Sequence, residues 1–369
     1  MGRLTRIAAC HASPVFLSAK GTTAKAISLI QEAAKNRANL VVFPESYIPA
    51  FPIWSALRAP SENHDLFKEM AVESIYVDGD EVNAIRAAAK HFGLLVSLGF
   101  SEKVRYSSAT LFNSNVLIGT DGEILVHHRK LMPTFYEKLT WAPGDGHGLQ
   151  VADTPFGKIG VLICGENTNP LALYTMTAQG EQIHISSWPA IWPTRMPEGI
   201  LPTSSDGAVT VNGNEDGSGG KASVSSVARG ANYDNVAANR TRAAAHCFEA
   251  KCFGVLCAGV LDDDAIETAA DGSSAPDIVS KGLQQSSRGA TMFLDTTGTL
   301  LPGFTIDPET SVHEQRDLLQ EKEGILYVDV NLEDCIEGKQ YHDLAGGYQR
   351  LDVFELKVNR KRREPALFE

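Results

Sequence analysis

IGVLICGENTNP, residues 159–170, decides the architecture. Its apolar part, Ile159 to Ile163, is short and rich in β-branched residues, as a buried strand is. Gly165 and Asn167 permit a sharp turn where the run stops, so the thiol of Cys164 stands at the mouth of a strand. Two other stretches repeat this design with different chemistry. LVVFPES (40–46) carries Glu45 just past its apolar run, and ILVHHRK (124–130) ends on Lys130. Taken singly, each group has a plainer reading: cysteine is a common core filler, and a carboxylate or an ammonium at a loop is normally solvated. Together they are a cysteine, a base and a cation at three strand ends, the parts that attack on a C–N multiple bond or an amide requires.

The rest of the chain alternates helices with strands. A helix capped by Thr22 or Thr23 is expected to run to about Asn39, with Ala26, Ile30, Ala33 and Ala34 on one face, and to lead into a strand at 40–43. A second helix over 80–92 ends at Gly93 before LLVSLGF. Hairpin turns are expected at 120–122, 155–157 and 296–298, and further strands at QIHISSW, FGVLCAGV and ILYVDVN. Helices interleaved with hairpin-linked strands predict mixed sheets with helices on their outer faces.

Composition narrows the class. Of 369 residues 43% are hydrophobic and 21% charged, as in a globular protein, and the formal net charge of −12 opposes attraction to nucleic acid. The basic run NRKRR (359–363) reads as a solvated face or a subunit contact. MGRLTRIAAC is too short in its apolar part for a signal peptide, and no stretch reaches the roughly 20 apolar residues of a membrane span, so a cytoplasmic enzyme without membrane contact is expected. The six cysteines show neither paired spacing nor a zinc pattern; Cys247, Cys252 and Cys257 recur every five residues and are assigned to packing. Residues 203–234 are rich in Gly, Ser, Asn and Asp and read as a flexible surface insertion. GSGGKAS within it is not a phosphate loop, because the first glycine of that motif falls on Glu215 and Ala222 follows the lysine.

FPES (43–46), HRKLMPT (128–134), FYEKLTWAPGDG (135–146), CGENTNPLA (164–172), GEQIHISSWPA (180–190), the helical stretch at 233–259 and RGATMFLDTTGTLL (288–301) together resemble the nitrilase branch of the carbon-nitrogen hydrolase superfamily, in order along nearly the whole chain. The resemblance implies a four-layer αββα sandwich over 1–340, with 341–369 as a C-terminal tail and subunit contact. It implies homo-oligomers, including spirals and filaments, no cofactor and no metal. The substrate it implies is a small organic nitrile. Glu137 matches the family's second glutamate near the cysteine, thought to orient Lys130 or assist proton traffic.

The roles follow from chemistry. A thiol is a poor nucleophile until deprotonated, so Cys164 needs a base, and Glu45 is the choice. Lys130, if it stays protonated, is no base; its charge favours thiolate and stabilises negative charge growing on nitrogen or oxygen, and the Gly165 N–H is a second donor. Glu166 and Asn167 are read as turn and ion-pair residues. Trp188, Trp192 and the Trp54 region are candidates for the pocket, beside Gly165, where many relatives have tryptophan. The YHDLAGGYQR segment also departs from the commoner histidine-tyrosine pairing, since Gly347 precedes Tyr348. Other readings are a cyanide hydratase that stops at the amide, an amidase or carbamoylase using the same three groups, and a catalytically silent oligomeric binding protein.

Overall fold

Short β-branched runs pair into two mixed sheets in the computed structural model of the chain, which describes residues 4–197, 200 and 234–366. Strands β1 (Leu4–His11), β2 (Leu40–Val42), β3 (Leu95–Lys103), β4 (Leu111–Ile118) and β5 (Ile124–Arg129) lie in the first sheet. Strands β6 (Ala152–Thr154), β7 (Gly157–Ile163), β8 (Ile183–Trp188), β9 (Phe253–Ala258), β10 (Thr291–Leu294) and β11 (Leu300–Leu301) form the second. The chain then returns to the first through β12 (Gly303–Ile306), β13 (His313–Arg316) and β15 (Gly324–Asn331), while β14 (Leu318–Leu319) pairs with β10. The orders are β13-β12-β15-β1-β2-β3-β4-β5 and β11-β10-β9-β8-β7-β6. In the first, β1, β2 and β3 run parallel; in the second, β7, β8 and β9 do.

The α-helices among the described residues are α1 (Ala19–Lys35), α2 (His64–Glu73), α3 (Asp80–Phe92), α4 (Pro170–Thr177), α5 (Asn235–Ala250), α6 (Asp263–Ala270), α7 (Pro276–Gln284) and α8 (Asp334–Tyr341). The core has three layers because each strand sends alternate side chains to opposite faces. Ile7, Val42, Ile159, Val161, Ile183 and Val255 meet between the sheets. On the outer face of the first sheet, Ala8, Val41 and Val96 pack against Ile30 of α1 and Ile85 of α3. On the outer face of the second, Ile163, Trp188 and Leu256 pack against Ala243 and Cys247 of α5. The expected αββα sandwich is the observed one.

The expected hairpins and the α3 boundary at Gly93, which is left-handed (φ 67°), agree with the sequence reading. The first helix does not. Its cap is Ser18, whose hydroxyl accepts from the Gly21 N–H, and it stops at Lys35. Thr22 and Thr23, the expected caps, lie inside it and are buried, with the Thr23 hydroxyl donating to the Ala19 carbonyl. The basic run near the C-terminus is exposed at Arg360, Lys361 and Arg363, as a solvated face is, while the half-buried Arg362 docks on its own chain. Arg362 donates to the His127 carbonyl and pairs with Asp145, and the Arg363 N–H donates to Asp145. The expected insertion at 203–234 lies outside the described residues except for Asp234, which caps α5. No helix among the described residues is long and apolar enough to cross a membrane.

Candidate active site

Glu45 follows β2, Lys130 follows β5 and Cys164 follows β7, so both sheets contribute to one cleft at their strand ends. Each segment carries a residue in the left-handed region: Ser46 (φ 46°), Phe135 (φ 50°) and Cys164 itself (φ 50°). Such a conformation costs a non-glycine residue about 1–2 kcal/mol, and such strain clusters at functional sites. Gly99 of β3 makes room for the Glu45 turn, since a Cβ there collides with the Pro44 carbonyl and crowds the Ser46 nitrogen.

The structure brings four of the expected residues together. Carboxylate oxygens of Glu45 and Glu137 and the sulfur of Cys164 all lie within 4.8 Å of one another. Lys130 Nζ donates to Glu45 Oε1 at 2.7 Å and to both oxygens of Glu137, at 2.9 and 2.7 Å. Asn113 Nδ2 donates to the same Glu45 Oε1 at 2.7 Å. Glu45 Oε2 is buried with no hydrogen-bond partner among the described residues. One oxygen of Glu45 is therefore anchored and the other is open to a proton. Glu137 has no such oxygen: besides Lys130 it accepts from the Thr134 N–H.

The charges fix the resting state. Two carboxylates and one ammonium, all with buried side chains, leave an excess negative charge in the site. Burial pushes Glu45 up to about 7, with Lys130 opposing the shift and Glu137 adding to it. Lys130 rises well above its ordinary value: burial opposes its charge, but Cys164, Glu137 and Glu45 more than offset that. Burial first, then Glu45, pushes the Cys164 thiol well up, and Lys130 only partly offsets them. Lys130 thus acts in the expected direction, favouring the thiolate, but burial and Glu45 outweigh it, which is why the thiol needs a base.

Behind the nucleophile are contacts that sequence reading did not find. Glu166 joins two strand ends: its carboxylate accepts from the N–H groups of Leu131 (2.6 Å) and Ile163 (2.8 Å) and from His128 Nε2 (2.8 Å). Although burial pushes this carboxyl up, His128 and the two N–H groups hold it below the usual range. Asn167 Nδ2 donates to the Cys164 carbonyl at 3.0 Å, and its Oδ1 accepts from Ser186 and lies 2.8 Å from His184 Nε2. His184 Nδ1 lies 2.8 Å from Glu181, whose other oxygen lies 2.8 Å from His246 Nε2. The ion-pair and turn roles expected of Glu166 and Asn167 are the observed ones, with a further layer beneath. A polar residue at every second position of QIHIS, His184 and Ser186 between isoleucines, was the available signal.

Among the described residues, two groups of donor atoms are close enough to consider for a cation. In Glu45, Glu137 and Cys164 both carboxylates already hold the Lys130 ammonium. In Glu181, His246 and Cys252 the carboxylate is shared between two imidazoles. Cys252, assigned to packing from the sequence, thus also borders a polar cluster.

The cavity that opens on Cys164 is about 700 Å³ and is lined in part by Gly165, Thr134, Phe135, Trp192 and Arg242. A Cβ on Gly165 meets Thr134 Oγ1 at 2.7 Å, so the site is built around a glycine there. Of the three expected tryptophans only Trp192 lines this cavity, stacked on Tyr136 at 4.3 Å. Trp188 points with His184 and Ser186 to the helix side of the second sheet and is buried beside Cys164 as packing. Trp54 is core as well, edge-on to Phe16 at 6.1 Å, and borders a separate cleft with Pro60 and His64. Neither lines the cavity on Cys164, and both pack in core clusters. The buried Tyr136 hydroxyl, without a partner among the described residues, was not anticipated.

The carbon-nitrogen hydrolase family profile matches residues 6–340. A protein named nitrilase from Penicillium rubens is 33% identical over 374 residues, spanning 99% of this chain and 96% of that one. An arylacetonitrilase from Hypocrea virens is 44% identical over 190 residues, 51% of this chain and 56% of that one. Among solved structures, a carbon-nitrogen hydrolase from Helicobacter pylori G27 superposes with a TM-score of 0.62 over 91% of this chain and 92% of that one; at 19% identity this likeness speaks for the fold alone. With a profile match over most of its length and a relative aligned end to end, this chain belongs to the carbon-nitrogen hydrolase family.

Proposed function

We propose that this chain is a nitrilase that converts an organic nitrile to a carboxylic acid and ammonia on Cys164. The observation that carries the reading is the open oxygen of Glu45 in the cluster it forms with Glu137 and the Cys164 sulfur, with Lys130 fixed by two carboxylates. Relatives named nitrilase and arylacetonitrilase support it.

In this reading Glu45 Oε2 takes the thiol proton as sulfur bonds to the nitrile carbon, and the proton passes to nitrogen to give a thioimidate. Transfer and attack are coupled because a standing thiolate is disfavoured. Lys130, buried beside the nucleophile, stabilises the charge that grows on the former nitrile nitrogen, where burial makes that charge count for more than in water. Glu137 is a positioning residue that aims the ammonium. Water activated by Glu45 adds to the thioimidate, giving a tetrahedral carbon that carries oxygen, nitrogen and sulfur. Protonated nitrogen leaves as ammonia, and a second water hydrolyses the thioester, releasing acid and restoring the thiol. If sulfur leaves first, the product is the amide.

Quantifying acid, amide and ammonia from an arylacetonitrile, a benzonitrile and an aliphatic nitrile tests the reading. Acid is expected to dominate, with amide minor. Amide from every substrate, or turnover of cyanide alone, moves the assignment to a hydratase; turnover of amides alone moves it to an amidase.

The pH profile gives a second test. Glu45 must be ionised to accept the proton, so kcat/KM rises with pH through an apparent value near 7, where burial has pushed this carboxyl. Removing the negative charge of Glu137 favours the ionised form of Glu45. Glu137→Gln therefore moves this limb to lower pH, even as it lowers the maximal rate by loosening Lys130. A limb that stays in place on this substitution removes Glu45 as the group observed.

We further propose that the protein works in the cytoplasm as a homo-oligomer, with the tail beyond 340 as a contact. Tyr341, Tyr348, Leu351 and Phe354 are apolar side chains there that remain exposed in the single chain. Light scattering is expected to find a species well above the 39.8 kDa of one chain; a fully active monomer counts against this.

A further inference from the structure

A polar chain runs behind the nucleophile, on a face where apolar side chains would pack at lower cost. Glu181, His184, Ser186 and Asn167 are each at most 2% exposed, and none is among the described residues that line the cavity on Cys164. His184 and Ser186 share their face of β8 with Trp188, which packs with Ile163 and Ala243. Polar groups are costly there unless every one is hydrogen-bonded. The backbone makes room for them: Gly160 stands opposite His184 in the β7–β8 register, and a Cβ on it collides with Glu181 Oε1.

The directions of the hydrogen bonds are fixed from one end. Asn167 Nδ2 faces two carbonyls, those of Leu162 (3.3 Å) and Cys164 (3.0 Å). A flipped amide sets its oxygen against both, so Oδ1 must be the atom that faces Ser186 Oγ (2.9 Å) and His184 Nε2 (2.8 Å). Both of these groups then donate, and His184 Nε2 carries a hydrogen. Across the ring, His184 Nδ1 lies 2.8 Å from Glu181 Oε1, a separation that requires a proton between the two atoms. Each link thus sets the next. Glu181 orients the His184 ring, His184 and Ser186 orient the Asn167 amide, and Asn167 holds the carbonyl of the left-handed Cys164.

We infer that Glu181 and His184 are positioning residues for the reaction: through Asn167 they hold the Cys164 carbonyl, and with it the turn that aims the sulfur at the substrate carbon. The inference rests on the nitrilase reading and deepens it by two residues that act on the nucleophile from behind. Glu166 secures the same turn from its other side, at the Ile163 N–H, so the backbone of the nucleophile is clamped at both flanks. The clamp matters because φ is 50° at Cys164, a conformation that persists in a non-glycine residue only when its surroundings enforce it. A misplacement of about 1 Å at a reacting atom costs about 100-fold in rate.

Two readouts test it: steady-state kinetics per mole of folded protein, and the rate at which iodoacetamide alkylates Cys164, located by peptide mass. His184→Leu removes a donor to Asn167 and is expected to lower kcat about tenfold to a hundredfold, with KM within about threefold because no cavity wall changes. Alkylation of Cys164 slows along with kcat. Asn167→Leu, close in volume, releases the Cys164 carbonyl directly and does the same. Glu181→Ala also lowers kcat, whereas Glu181→Gln restores most of it: the glutamine amide donates to His184 Nδ1, and its oxygen accepts from His246 Nε2, the partner of the other carboxylate oxygen. A merely structural chain gives a different result, with lower melting temperatures and an unchanged kcat per folded molecule, and that outcome overturns the proposal. So does a Glu181→Gln protein as slow as Glu181→Ala, since the chain then acts by charge rather than by orientation. If His184→Leu does not fold, Ser186→Ala, which removes the second donor to Asn167, decides together with the Glu181 pair. A kcat loss of about threefold or more at constant KM supports the proposal, and an unchanged kcat overturns it. Slower alkylation of Cys164 in His184→Leu, with no nitrile turned over by the wild type, sinks the nitrilase reading and keeps the positioning. Nitrile turnover with kcat and alkylation unmoved by His184→Leu and Asn167→Leu does the reverse.

Discussion

Cys164→Ala is expected to lower ammonia release from any nitrile substrate by at least about 10⁴-fold while the protein still melts cooperatively. The size of the effect follows from covalent catalysis: without sulfur there is neither a thioimidate nor a thioester, and Glu45 and Lys130 have nothing to activate. Folding is spared for a local reason. Alanine bears the same left-handed backbone cost as cysteine at this position (φ 50°), and the turn is held by Asn167 and Glu166 through backbone groups that the substitution leaves in place. The lost sulfur costs about 1 kcal/mol of packing. Mass spectrometry of the wild type during turnover should find the acyl or thioimidate adduct on the peptide containing Cys164. An adduct on Cys247, Cys252 or Cys257 removes Cys164 as the nucleophile. So does turnover by the alanine variant within tenfold of the wild type.

The layers were legible because buried strands have short β-branched runs and because hairpins punctuate them with glycine. The region around β7 shows why that works: Ile159 and Val161 face the other sheet, and the run ends where a left-handed residue turns the chain. The first helix was misplaced because two threonines look like caps. Ser18, four residues before Thr22, takes the cap, while the Thr22 hydroxyl bonds to the Val15 backbone and that of Thr23 to the helix itself. A capping rule sees the residue type but not which of three neighbouring hydroxyls the incoming chain leaves free. The docking of Arg362 on Asp145 depends on a contact between residues 217 positions apart, which local pattern does not carry.

The site divides along the same line. Glu45, Lys130 and Cys164 were legible because each is a reactive group placed just past an apolar run, where a strand end must present it. Of their supports, Glu137 came from the family resemblance and Glu166 and Asn167 from turn chemistry, but the rest were not legible. Asn113 lies within β4, and nothing in its sequence neighbourhood says that its amide reaches Glu45 across the sheet. Glu181, His184 and His246 form one hydrogen-bonded set only because β8 and α5 pack together. The tryptophans show the converse error. A large aromatic near a motif is easily read as a pocket wall, but Trp188 and Trp54 are each about 1% exposed and fill the core.

Glu45→Gln and Lys130→Ala should each nearly eliminate activity, and the double variant should lose little more than either. Glutamine can still accept from Asn113 and Lys130, so the site keeps its shape, but it cannot take the thiol proton; loss of a placed base costs about 10²–10⁴-fold. Removing Lys130 acts on the same step from the other side. It leaves Glu45 and Glu137 buried without their shared counter-ion, so the two carboxylates compete for a proton and Glu45 is no longer a base at neutral pH. If the groups acted independently, two losses of 10³-fold would multiply to about 10⁶; acting as one unit, the double variant stays near 10³. Stability supplies a second reading of the same coupling. Lys130→Ala alone is expected to cost about 3–5 kcal/mol, because it strands buried charge, whereas adding Glu45→Gln removes one of the stranded carboxylates and recovers part of that cost. Urea unfolding of the four proteins measures this. Activity losses that multiply, together with stability losses that add, would show that Glu45 and Lys130 are separate contributors rather than one charged device around Cys164.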